Sequence, residues 1–275
     1  MESECQRARA RNETRGSEDR GVLVDVAYEG TAFHGWAIQS HARTVEETVL
    51  GAVRAIDPRV RLVRGASRTD AGVHAEGQLA AFDTARDISA RGWVLGLNQH
   101  LPDDVSVRAA RSVPAGYSPR FAALSKRYRY RLLVDPVRDP HLRTHAWRLP
   151  DLDSALLEDE SRAAIGTHDF AAFRCAGDAR PTTVRTLTRV EVLRDESARE
   201  FSIVIEGNAF LYNMVRILVG TMVDVARSRL APGAVARALA SRNRRSAGTT
   251  APAHGLVLER VEVELPSEAG DRWPP

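Results

Sequence analysis

Cysteine and lysine are almost absent from this chain, and so is any apolar run long enough to cross a bilayer. Its two cysteines, Cys5 and Cys175, make neither a disulfide framework nor a Cys-x-x-Cys metal spacing, and neither is read as catalytic. The most apolar stretch, Phe210 to Ala226, is broken by Asn213, Arg216 and Asp224, which makes it a buried helix rather than a membrane span. The opening residues, Met-Glu-Ser-Glu-Cys, lack the hydrophobic core of a signal peptide, so a cytoplasmic location and no membrane partner are expected. Lys126 is the sole lysine; every other fixed positive charge is an arginine. Guanidinium forks suit phosphates and stacked bases better than ammonium groups do. Composition does not separate that reading from a codon bias.

What is present is a globular composition, 43% hydrophobic and 27% charged over 275 residues, with a net charge of only +3. Residues 1–20 are polar, mixed in charge and aperiodic, which predicts a disordered tail. Regular patterning starts at Gly21, with a valine-rich strand to Tyr28. Thr44 opens a helix with Glu47 as its capping-box partner, and Val45, Val49, Val53 and Ile56 form its apolar stripe. Strands are expected at Val60–Val63, Gln78–Phe82 and Val105–Ala110, with a short helix at Ile88–Leu97. That order is β-α-β-β-α-β.

The second half repeats it. Lys126 to Val134 alternates, with Tyr128, Tyr130 and Leu132 on one face and Arg127, Arg129 and Arg131 on the other. A helix over Leu152–Ile165 stops at Gly166, strands follow at Val184–Leu193 and Phe201–Gly207, and Phe210–Ala226 is the buried helix. A shorter helix follows Pro232, and Leu256–Leu265 alternates as the last strand. The predicted fold class is therefore α+β: two tandem ferredoxin-like units, residues 21–113 and 114–265, whose mostly antiparallel sheets meet at a central groove. Residues 266–275 are left as a second tail.

The stretch richest in chemical possibility is Gly65-Ala-Ser-Arg-Thr-Asp-Ala-Gly-Val-His-Ala75, in a loop between two strands. It holds two opposite charges, Arg68 and Asp70, beside a turn-forming Gly72; most such tripeptides are ordinary turns. His74, four residues after Asp70, has no third ligand at convincing spacing, so no metal site is expected. The motif lacks the second carboxylate that a glycoside hydrolase needs.

The loop does not stand alone. Arg68-Thr-Asp-Ala-Gly-Val-His-Ala75, followed by Gly77-Gln78 and Phe82, resembles the signature of the TruA family of tRNA pseudouridine synthases. Tyr28-Glu-Gly-Thr-Ala-Phe-His-Gly-Trp36 with Gln39, Phe121 with Lys126-Arg-Tyr-Arg-Tyr130, and His168-Asp-Phe-Ala-Ala-Phe173 are similar to further blocks of that family. So are Asn208-Ala-Phe-Leu-Tyr-Asn-Met-Val-Arg216 with Gly220 and Ala251-Pro-Ala-His-Gly-Leu256, all in family order. Two departures stand out: Ser67 where the motif often has glycine, and Lys126 where arginine is frequent.

The resemblance implies a catalytic Asp70, needed because isomerising uridine breaks and remakes a glycosidic bond through a carboxylate that attacks or deprotonates the nucleoside. No redox cofactor or metal is implied. It further implies that Arg216 holds Asp70 ionised, that Tyr128 stacks on the uracil, that Leu256 walls the base, and that Arg68 assists extrusion of the target nucleotide. Arg127, Arg129 and Arg185 are candidates for tracking RNA phosphates. The implied partners are tRNA, at its anticodon stem–loop, and a second copy of the chain; DNA is not expected. A pure RNA-binding module and a nucleoside hydrolase stay open as alternatives.

Overall fold

The computed structural model describes residues 19–175, 177–178, 180–195 and 199–274. Cys5 and the expected disordered tail, apart from its last two residues, lie outside the described residues.

Valine at alternate positions drives β1, Arg20–Tyr28, into the middle of the N-terminal half. Antiparallel partners flank it, β3 (His74–Thr84) on one side and β4 (Val105–Val113) on the other. A two-residue strand β2, Arg64–Gly65, pairs with the far side of β3. Helices α1 (Val45–Ile56) and α2 (Ala90–His100) pack on each other and bury Val45, Val49, Val53, Trp93 and Leu97. In the C-terminal half, β5 (Ala123–Val134) pairs antiparallel with β9 (Glu200–Gly207), which pairs with β8 (Val184–Arg194). The short strand β6 (Trp147–Leu149) pairs parallel with the last residues of β5, and β7 (Gly166–Asp169) forms the edge beside β8. Helices α3 (Ser154–Arg162), α4 (Met214–Ala226) and α5 (Ala234–Ser241) complete this half.

The expected pair of sheets meeting at a groove is corrected by the last strand. β10, Leu256–Val263, pairs antiparallel with β5 and parallel with β3, fusing both halves into one ten-stranded, mostly antiparallel sheet. The join is short, Val257 opposite His74 and Leu258 opposite Ala75. It brings the loop before β3 beside the middle of β5, at Lys126 and Tyr128.

Local departures have local causes. Val60–Val63 is not a strand; Val60 and Val63 are buried as loop residues. The capping box does not form, since the preceding loop satisfies the first helical N–H groups: Val45 and Glu46 donate to the carbonyls of Gly35 and Trp36. Residues 266–274 are not a free tail. Gly270 donates to Ser112, and Trp273 exchanges backbone bonds with Ala110, covering the edge of β4.

Along β5 the period of two sorts the side chains sharply. Tyr130, Leu132, Ile203, Ile205 and Leu258 join Ile217, Leu218 and Met222 of α4 in one core. On the opposite face each arginine meets a glutamate: Arg127 with Glu206, Arg129 with Glu76 and Glu259, Arg131 with Glu200.

Candidate active site

The loop carrying Asp70 is held from three sides. The Tyr28–Trp36 segment grips it: the Tyr28 hydroxyl lies 2.8 Å from Thr69 Oγ1, Trp36 N–H donates to Thr69 O, and Gly72 N–H donates to Phe33 O. Gly72, at φ 77°, occupies the left-handed region that favours glycine and closes the turn in which Val73 N–H donates to Asp70 O. Behind the loop, the fully buried Gln78 binds Ser67 through both backbone groups, donating to Ser67 O at 2.6 Å and accepting from Ser67 N at 3.2 Å. Three sequence blocks therefore converge on one turn.

Arg216 reaches this turn from α4. Its Nη1 stands 3.4 Å from Asp70 Oδ2, with both side chains about four-fifths buried (18% and 20% exposed). Two further acceptors aim it, Ala251 O for Nε at 2.8 Å and Asn213 Oδ1 for Nη1 at 2.8 Å. Asn213 takes the left-handed conformation at the helix start, φ 60°. Gly220 lets the segment from Thr249 to Ala251 lie against the helix, since a Cβ there would sit 2.0 Å from Thr249 O. An arginine in an apolar helix is thus fully engaged rather than stranded.

Tyr128 completes the group from β5. It is buried, its ring lies edge-on to Phe210 at 5.0 Å, and its hydroxyl is 3.0 Å from Ser67 Oγ. Burial pushes the phenol up to about 12, with the Asp70 charge adding to the rise. Leu256 is buried on the same sheet, opposite Tyr130. Arg68 is exposed and lies near Glu46, with no hydrogen bond or ion pair among the described residues.

Burial raises the Asp70 carboxyl above the usual aspartate value; Arg216 and Arg180 oppose that rise, so the guanidinium acts in the direction expected of it while desolvation sets the net shift. Arg127 and Arg129 lie on the far face of the sheet from Asp70, each paired with glutamate. Arg185 is different. It is buried on β8, with its Nε unpartnered and its pKa lowered by burial and by Arg180.

Sequence reasoning missed Arg180. It is exposed, in a loop without periodicity, and it donates to Phe210 O and sits 3.6 Å from Asp178. Its charge is felt at Asp70, Lys126, Tyr128 and Arg185 alike. His74, by contrast, points away from Asp70. Gly30 N–H donates to its Nδ1, and its Nε2 faces the carbonyls of Thr144 and His254. Ligand atoms of Glu29, His74 and His145 do lie within 4.8 Å of one another, but His74 would have to surrender a backbone bond to ligate a metal.

Relatives are similar to this chain over most of its length. "tRNA pseudouridine synthase A" of Geobacter sulfurreducens is 41% identical over 244 residues, covering 88% of this chain and 99% of the relative. The chain belongs to the tRNA pseudouridine synthase A family. The protein of the same name in Geobacillus kaustophilus is 40% identical over 87% of this chain and 93% of its own length. That of Acetivibrio thermocellus is 38% identical over 88% and 99%. Residues 161–263 also match a family model described as tRNA pseudouridine synthase. Among the described residues no helix is long and apolar enough to cross a membrane.

Within this pseudouridine synthase family member, one signal for Arg180 was available in retrospect. Asp178 and Arg180 stand two apart just before β8, the spacing of Arg68 and Asp70, but short polar loops carry such pairs too often for that to single one out.

Proposed function

We propose that this chain isomerises uridine to pseudouridine in the anticodon stem–loop of tRNA, with Asp70 as the essential carboxylate. The observation that carries the reading is the convergence of Asp70, Arg216 and Tyr128 from a loop, a helix and a strand far apart in sequence. The glycosidic bond breaks with its electron pair on the uracil, C5 joins ribose C1′, C5 loses its proton and N1 gains one. Asp70 attacks or deprotonates the sugar or base while the ring is detached. Tyr128 stacks on that ring with its phenol near the C5 position that must lose a proton and takes that proton, Leu256 walls the ring, and Arg68 fills the space the extruded nucleotide leaves.

Positive charge collects on this side. Arg180, Arg185, Arg216 and Lys126 outnumber the nearby Asp70 and Asp178, which suits a phosphate backbone. Phe121, 87% exposed beside Arg120, offers a stacking surface for an RNA base. Each half is read as a ferredoxin-like unit, because β4-β1-β3-β2 and β10-β5-β9-β8 follow one strand order. The protein works in the cytoplasm, as a pair of copies holding tRNA.

The test is incubation of unmodified tRNA with the protein, followed by separation of its nucleosides. Pseudouridine is expected. Free uracil would show hydrolysis instead, and an unchanged profile would leave only binding. Mapping of tRNA from cells lacking the protein should show unmodified uridine in the anticodon stem–loop.

A further inference from the structure

The two departures from the family pattern touch each other. Lys126 shares its face of β5 with Tyr128, and its Nζ donates to Ala66 O at 3.0 Å and to Ser67 Oγ at 3.2 Å. Ser67 Oγ lies 3.0 Å from the Tyr128 hydroxyl. A phenol, a hydroxyl and an amine thus form an unbroken line, and its middle member is buried and fixed by Gln78 on both backbone groups.

Such a line answers a chemical difficulty. A phenol pushed up to about 12 is not a standing phenolate near neutral pH, so Tyr128 can take a proton only by passing on its own. Lys126 is suited to receive it. No carboxylate pairs with it among the described residues, and burial together with Arg120 and Arg180 brings its pKa down to about 8. On the flanking strands Glu206 and Glu262 are engaged by Arg127 and by Ser125 and Arg260. Ala66 presents only a carbonyl, and Asp70 acts on Tyr128 rather than on the amine.

We propose that Ser67 and Lys126 are positioning residues that form a proton relay for Tyr128, with Lys126 Nζ as the last acceptor of the proton lost from uracil C5. The inference rests on the role given to Tyr128 above. The C5–H bond breaks, its electron pair restores the C5–C6 double bond, and the C6–N1 π pair moves onto N1. The proton lands on Tyr128 Oη as the phenol proton passes to Ser67 Oγ and the serine proton passes to Lys126, whose neutral amine accepts across the 3.2 Å contact that its ammonium form donates across. Nitrogen N1 takes up a proton from water, and Lys126 returns its own to solvent, so the net change is isomerisation.

The experiment follows tritium release from tRNA labelled at uridine C5, in single turnover, across the neutral to alkaline range. Parent, Ser67→Ala, Lys126→Arg and Tyr128→Phe are compared, with tRNA affinity measured alongside. The parent rate should rise to a plateau with a midpoint near 8. Ser67→Ala and Lys126→Arg should each slow release on the order of 10²-fold, lose that rise, and bind tRNA as the parent does. Lys126→Arg keeps the charge and removes only the acceptor; if it fails to fold, Ser67→Ala carries the test. Parent-like rates and profiles in both, with Tyr128→Phe slow, overturn the relay and leave the tyrosine's role standing. A parent-like Tyr128→Phe overturns that role and the relay with it.

Discussion

The two faces of β5 use the same residue types to opposite ends. On the open face Arg127, Arg129 and Arg131 are spent on glutamates, so the strand presents little net charge there. On the covered face Lys126 and Tyr128 both feel the charge of Arg180, and Asp70, opposed by Arg216 and Arg180, acts on Tyr128. Cross-strand pairs in water contribute little each, typically about 0–1 kcal/mol, and serve mainly to fix register. Unmatched charge held partly dry is what shifts pKa values and attracts a polyanion. Arginine content therefore says little about RNA contact until each arginine's partner is known.

The comparison is broken most severely on the covered face. Asp70→Ala should abolish pseudouridine formation while tRNA affinity stays within about tenfold, because phosphate contacts dominate binding; nucleoside analysis and a filter-binding titration check the two halves. Tyr128→Phe should slow product formation on the order of 10²-fold without weakening binding, measured in single turnover. A rate equal to the parent's would make the phenol structural.

Removing the guanidinium sharpens the electrostatic side. Asp70 must be ionised to act, and its pKa already lies above the usual aspartate value, so activity should fall as pH drops through a point higher than for an ordinary aspartate. Arg216→Met deletes the opposing charge and should move that acid limb of kcat/KM upward. A limb that stays put would show that Arg216 does not tune the carboxylate.

The smallest effects separate the faces. Arg180→Ala should weaken tRNA binding and reduce the salt dependence of affinity by about one ion's worth. Arg129→Ala, on the open face, should leave tRNA affinity unchanged and shift unfolding by no more than about 1 kcal/mol, measured in a denaturant titration. Equal losses of affinity from both would contradict the division.

Much of this was legible in the sequence because it was local. Alternation placed Tyr128 and Arg127 on opposite faces of β5, and Arg216 stood out as a charge in an apolar helix. The fusion of the halves was not legible. The β3–β10 pairing spans two opposed pairs in the register and joins residues nearly two hundred positions apart, so no window of sequence carries it. The net direction at Asp70 was hidden for a related reason. Motif spacing shows that a cation is near, whereas desolvation depends on what every other element buries. Arg180 lay in a loop with no period, and the link from Ser67 to Lys126 is a contact between separate elements.

The most direct measurement is nucleotide-resolution detection of pseudouridine in unmodified tRNA treated with Asp70→Asn, which keeps the shape of the side chain and removes its charge. With folding verified by circular dichroism and tRNA binding retained, no pseudouridine should form at any position. Turnover near the parent rate would contradict the account.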